Sequence, residues 1–149
     1  MIWFIIAAVI VGLDQFFKYM VISNISLTDT VEFIKGIINF VYVKNTGAAF
    51  GIFAGKTYIL SIVSVLVCAA LILFMIKNKN KSTILSLSLS MVLGGAIGNL
   101  IDRIVRGYVI DYIEPMFIDF PVINFADVAI TVGAFLLVIY VIFFDGKKE

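Results

Sequence analysis

A short set of polar side chains stands inside or beside otherwise apolar stretches of this chain: Asp14, Lys18, Asn45, Asn99, Asp102, Arg103, Asp111, Asn124 and Asp127. A charge at bilayer depth costs about 2.5 kcal/mol or more, so each of them needs a reason to be there. The chain has no histidine and a single cysteine, Cys68, so the usual zinc, haem and Ser-His chemistries lack their commonest residue. Cys68 lies in the apolar run SIVSVLVCAALILF with no base nearby and reads as a buried, inert thiol. Any catalysis must run on carboxylates, hydroxyls, lysine, arginine or that one thiol. Two carboxyls that share a proton cannot both ionise readily, so one stays an acid while the other acts as base toward a bound water. That pair needs neither histidine, cysteine nor metal, and no cofactor is expected.

Asp111 and Asp127 are the candidates for such a pair. Asp111 lies in Gly107-Tyr108-Val109-Ile110-Asp111-Tyr112-Ile113, apolar and aromatic surroundings that raise a carboxyl pKa by desolvation. Asp127 closes Asn124-Phe125-Ala126-Asp127 directly before an apolar run, and taken alone that tetrapeptide is a capping box, with Asn124 as N-cap and Asp127 as N3. Asp14 and Lys18 stand four apart on one helix face, acid first, which suits a salt bridge with a lysine whose head snorkels toward water. In Gly94-Gly95-Ala96-Ile97-Gly98-Asn99-Leu100-Ile101-Asp102-Arg103 the glycines at 94 and 98 make a face that a second helix can approach closely. Asp102 with Arg103 is expected to form a polar clamp at the end of that helix.

Positioning these residues falls to a membrane scaffold. The 149 residues are 62% hydrophobic and 14% charged, with a mean hydropathy of +1.14, outside the range of a chain that must maintain a wetted surface. Four apolar stretches, 2–21, 58–76, 84–101 and 128–144, each approach the length of a spanning helix. The first lacks a basic start and a small-residue cleavage site and reads as a retained span. One membrane domain over 1–149 is expected. A net charge of +1 gives no field for nucleic acid. Lysines gather at 77–81 and at 147–148, which by the positive-inside rule puts both termini in the cytoplasm and the 23–57 and 102–127 segments on the outer side. Asp111 and Asp127 then share one side of the membrane.

The first outer segment carries Ile37-Ile38-Asn39-Phe40-Val41-Tyr42-Val43 followed by Asn45-Thr46-Gly47, so a short hairpin or small sheet ending in a turn is expected. The second holds Pro115 and Pro121 among aromatics and acids, which argues against a continuous helix and for a loop on the membrane surface. Two other classes stay open at this level. A small transporter or proton- or cation-conducting bundle would use Asp14, Asp102 and Asp127, but would want them at mid-membrane depth. A noncatalytic scaffold would use the β segment to hold a partner.

The ordered motifs resemble one family, the lipoprotein signal peptidases or signal peptidase II. Asp14-Gln15-Phe16-Phe17-Lys18 resembles DQxxK, and Asn45-Thr46-Gly47-Ala48-Ala49-Phe50-Gly51 resembles NxGAAFG. Gly94 to Arg103 resembles GGAxGNxxDR, Gly107 to Asp111 GxVxD, and Asn124 to Asp127 FNxAD, with Ile123 in place of the first Phe. The resemblance implies an all-α membrane protein of four transmembrane helices with a small extracytoplasmic β-cradle and a surface loop or short helix. It implies an aspartic endopeptidase in the bacterial cytoplasmic membrane that removes the signal peptide of diacylglyceryl-modified prolipoproteins just before the lipidated cysteine. Asp111 and Asp127 match its catalytic dyad; Asp14, Lys18, Asn45, Gly47, Asn99, Asp102, Arg103 and Asn124 match residues that bind substrate or support the site. Membrane lipid as a partner and inhibition by the cyclic peptide globomycin are further implications.

Overall fold

The computed structural model describes residues 1–47, 53, 55–78 and 82–144. Four helices are long and apolar enough to cross a membrane: α1 (Ile2–Asn24), α2 (Thr57–Lys77), α3 (Thr83–Arg106) and α4 (Phe125–Phe143). Residues 79–81 and 147–148, which carry most of the lysines that orient the chain by the positive-inside rule, lie outside the described residues. Most exposed side chains of α2 and α4, Leu66, Leu73, Phe135 and Ile142 among them, are apolar, as a lipid-facing surface requires.

Helix α3 is the centre of the bundle. In its most apolar stretch 56% of the residues are buried, against 11% in α2, because α1, α2 and α4 all pack on it. Small residues make this possible. A Cβ on Gly94 would lie 2.8 Å from Ile10 Cβ, and one on Gly98 would lie 2.5 Å from Asp14 Oδ2, so the Gly94–Gly98 face receives α1. Gly95 meets the carbonyl of Ala126 on α4 in the same way. Ala7, Cys68, Leu85, Leu89, Leu93 and Tyr140 fill the apolar core beneath, where Cys68 is a buried free thiol, as expected.

Three strands gather at the other end: β1 (Thr30–Ile34), β2 (Ile38–Asn45) and β3 (Val109–Pro115), antiparallel in the order β1-β2-β3. The expected hairpin is present as β1 and β2. The surface loop expected over 102–127 is in large part something else. Helix α3 continues to Arg106, a polar turn beyond the apolar run, because Asp102 and Arg106 pair at i,i+4 and Gly107 (φ 78°) supplies the left-handed C-cap. Residues 109–115 then form β3, whose partner β2 is distant in sequence, with Asp111 opposite Val43 and Val109 opposite Asn45. Residues 107–108 and 116–124 remain outside helix and strand, and no helix forms in them. Val21 at the end of α1 packs with Ile110 and Tyr112, and Phe40, Tyr42 and Phe125 close around them, which ties the sheet to the bundle.

Candidate active site

Asp111 is set by the sheet. It is 3% exposed on β3, where Asn45 at the end of β2 donates Nδ2 to its Oδ2 at 2.8 Å. The backbone N–H of Gly47 donates to Asn45 Oδ1 at 2.9 Å, so the amide can only present its NH2 to the carboxylate. Ala48, Ala49, Phe50 and Gly51, the rest of that motif, lie outside the described residues. On the other oxygen Asp111 accepts from Asn124 Nδ2 at 2.6 Å.

Asp127 is set by the start of α4. The capping box read from sequence is present: Asn124 Oδ1 accepts from Asp127 N at 3.0 Å, and Asp127 Oδ2 accepts from Asn124 N at 3.1 Å. The two preceding donors of the helix are also taken. Phe125 N–H donates to Tyr112 Oη at 3.2 Å and Ala126 N–H to Asp14 Oδ1 at 3.1 Å. Three elements, α1, β3 and the cap itself, therefore hold the first turn of α4. Asp127 Oδ1 remains for Asn99, whose Nδ2 donates to it at 2.8 Å. Capping thus engages one oxygen of Asp127 and Asn99 the other.

Behind these lies a buried charge cluster. Lys18 is fully buried and does not snorkel, contrary to expectation, because its ammonium has three partners in the protein: Asp14 Oδ2, Asp102 Oδ2 and Asn99 Oδ1, each at 2.9 Å. The Asp102–Arg103 clamp is likewise replaced. Asp102 pairs with Lys18 and with Arg106 at 2.7 Å, since Arg106 is one turn on and shares its face, whereas Arg103 is the next residue and points about 100° away round the helix. Sequence reasoning passed over Gln15 and Arg106, which complete the cluster: Gln15 Nε2 donates to Asp102 Oδ1 at 3.2 Å and to Gly98 O at 3.1 Å. Spacing held a clue to Arg106, four residues after Asp102.

Asp111, Asp127, Asn45, Asn99 and Arg103 line one cavity of about 240 Å³, together with Pro121, Val122, Ile123, Ile130 and Thr131. Arg103 brings a positive charge within electrostatic reach of Asp127 and Asp111, and its Nε is buried without a hydrogen-bond partner among the described residues. Burial first, and then the neighbouring charge of Asp127, push the Asp111 carboxyl up to about 6 against the pull of Asn45, Asn124 and Lys18. Among the described residues no cluster of three metal-ligating side chains occurs. Asp14 and Asp102 are committed to buried ion pairs, an arrangement that favours a fixed scaffold over an ion path.

The sequence model of the family described as Signal peptidase (SPase) II matches residues 6–143. The chain belongs to this family. It is therefore a peptidase, and with its four apolar helices a multi-pass membrane protein. The lipoprotein signal peptidase of Enterococcus faecalis is 44% identical over 141 residues, covering 95% of this chain and 88% of that protein. That of Brevibacillus brevis is 39% identical over 147 residues, covering 99% and 98%. Among solved structures, a bacterial membrane enzyme determined by the in meso method at 2.3 Å superposes with a TM-score of 0.90 at 32% identity, covering 99% of this chain and 93% of that one. A second, determined at 1.9 Å, gives 0.86 at 33% identity, covering 96% and 93%. The chain thus shares the fold of these two membrane enzymes over nearly all of its length.

Proposed function

We propose that this signal peptidase II removes the signal peptide of diacylglyceryl-modified prolipoproteins and does so as an aspartic peptidase with Asp111 and Asp127 as its dyad. The relatives named lipoprotein signal peptidase support the substrate class. The observation that carries the chemistry is that both carboxylates line one cavity, each held by amide donors from two sides. One carboxylate takes a proton from water, and the other, protonated, donates to the scissile carbonyl oxygen. The water oxygen bonds the carbonyl carbon, and the resulting gem-diol collapses as its C–N bond breaks, the first carboxyl giving the proton it took to the leaving nitrogen while a gem-diol hydroxyl proton returns to the second. Asp111, the more buried of the two, is the better holder of the shared proton. Both its oxygens accept amide N–H bonds, so its O–H is left to point into the cavity. Arg103 would bind substrate carbonyl oxygen beside the cut. The cavity sits at the sheet end of the bundle, which we place at the outer membrane face, with both termini cytoplasmic and the lipid chains of the substrate remaining in the bilayer.

The reading predicts that purified protein cuts a peptide carrying a diacylglyceryl cysteine and leaves its unlipidated twin uncut, with globomycin abolishing the cleavage. Equal cleavage of both peptides would overturn the substrate assignment.

The pH dependence has a definite sign. The active pair carries one proton, so kcat/KM falls as pH rises through the value at which that proton leaves, about 6 for Asp111. Asn45 stabilises the charged carboxylate, and Asn45→Ala removes that donor. The alkaline limb of the variant should then move upward by roughly one pH unit, as expected for losing one charge-assisted hydrogen bond. A downward shift in a pH–rate series would contradict the assignment.

A further inference from the structure

The orientation of Asn99 decides whether Asp127 receives a donor or faces an acceptor, and Lys18 and Asn124 together fix that orientation. Asn99 Oδ1 accepts from two groups, Lys18 Nζ at 2.9 Å and Asn124 Nδ2 at 3.1 Å, while its Nδ2 donates to Asp127 Oδ1 at 2.8 Å. Turning the amide over would set an NH2 against the Lys18 ammonium and against the Asn124 NH2, and a carbonyl oxygen against the Asp127 carboxylate. All three contacts would become repulsive. Asn124 is itself unable to turn, since its Oδ1 is engaged by the N–H of Asp127.

Lys18 is equally constrained. Its three ammonium protons match three acceptors, Asp14, Asp102 and Asn99, and the side chain is fully buried. The charge count of the cluster is balanced by Arg106, which pairs with Asp102. Charge balance alone would need no bond from Lys18 to Asn99, so that bond has a separate consequence for the cavity.

We propose that Lys18 is a positioning residue of the peptidase reaction, holding the Asn99 amide so that it donates to Asp127. This rests on the reading of Asp127 as half of the dyad. The charged and titratable groups around Asp111 and Asp127 are Lys18 and Asp14 from α1, Asp102, Arg103 and Arg106 from α3, and Tyr112 from β3. Lys18 acts on the cavity in two ways, through the bond to Asn99 and through its charge, and the two can be separated by substitution.

Lys18→Met removes both. Lys18→Met combined with Asp14→Asn removes the bond while leaving the cluster balanced, with Asp102 still paired to Arg106, and supplies folded protein where the single variant unfolds. On the diacylglyceryl peptide, kcat is expected to fall about 10- to 100-fold in both variants, as for a misplaced catalytic group, with KM within about twofold of wild type. The alkaline limb of the single variant should move to higher pH, because a cation has left the neighbourhood of the carboxyls. In the double variant it should return toward wild type while kcat stays low. A wild-type kcat in either folded variant, or recovery of kcat in the double variant, would overturn the proposal and leave Lys18 with charge balance only. Asp127→Asn run alongside separates the two readings. If that protein retains activity, the dyad assignment fails; if it is inactive while the Lys18 variants are normal, only the positioning role fails.

Discussion

Asp102→Ala should be the most destabilising single substitution in the polar half of the molecule, by about 3–5 kcal/mol, the cost of stripping one partner from a buried ion pair. The carboxylate accepts from Lys18, Arg106, Gln15 and the backbone N–H of Ile110, the last at 3.1 Å. Among the described residues its loss leaves the Lys18 ammonium with Asp14 as its sole acid and Arg106 with a 3.4 Å hydrogen bond to Gln15. It also leaves the N–H of Ile110, a residue with 0% exposure next to Asp111, without an acceptor. Unfolding of the detergent-solubilised protein reads the effect directly. Stability within about 1 kcal/mol of wild type would mean that the cluster does not hold α1, α3 and β3 together as described. Asp102→Asn keeps the shape and part of the acceptor capacity and should fall between the two.

The largest effect on activity is expected at the dyad. Asp111→Asn and Asp127→Asn each remove the group that carries or takes the proton, and cleavage should fall on the order of 10³-fold or more, near the upper range for general acid–base catalysis. A stability effect accompanies it. Every oxygen of the two carboxylates accepts an N–H: Asp111 from Asn45 and Asn124, Asp127 from Asn99 and the N–H of Asn124. Any amide placed there turns one NH2 toward another donor, which costs about 1–3 kcal/mol. The loss of activity is far larger than that destabilisation can cause while the protein remains folded, so folded fraction and turnover measured on the same sample separate the two.

Local rules carried much of the fold. Continuous apolar runs marked four spans, β-branched residues marked β2, and Asn124 with Asp127 marked the start of α4 to the residue. What escaped was set by partners distant in sequence. The apolar run of α3 ends near 101 while the helix ends at Arg106, because hydropathy reports membrane depth and not helix continuity. Strand β3 carries Val109 and Ile110 but became legible only through its pairing with β2, some 66 residues away for the Asn45–Asp111 contact. Lys18 was expected to reach for water, as an isolated lysine on a lipid-facing helix does. Asp102 and Asn99 come to it from α3 instead, across a face opened by Gly94 and Gly98. The candidate polar residues stood out by their misfit with an apolar background, and Asn45, Asn99, Arg103, Asp111 and Asp127 line the cavity while Asp14, Lys18 and Asp102 form the charge network behind it. Gln15, Arg106 and Tyr112 were passed over because a glutamine, an arginine and a tyrosine near a membrane boundary are ordinary there.

The central claim is that two carboxylates, Asp111 and Asp127, perform the hydrolysis. It is tested most directly by cleavage of a diacylglyceryl-cysteine peptide by purified wild-type, Asp111→Asn and Asp127→Asn proteins, with folding verified for each. The account predicts rapid cleavage by wild type and loss on the order of 10³-fold or more in both variants. Turnover near the wild-type rate in either folded variant would contradict it.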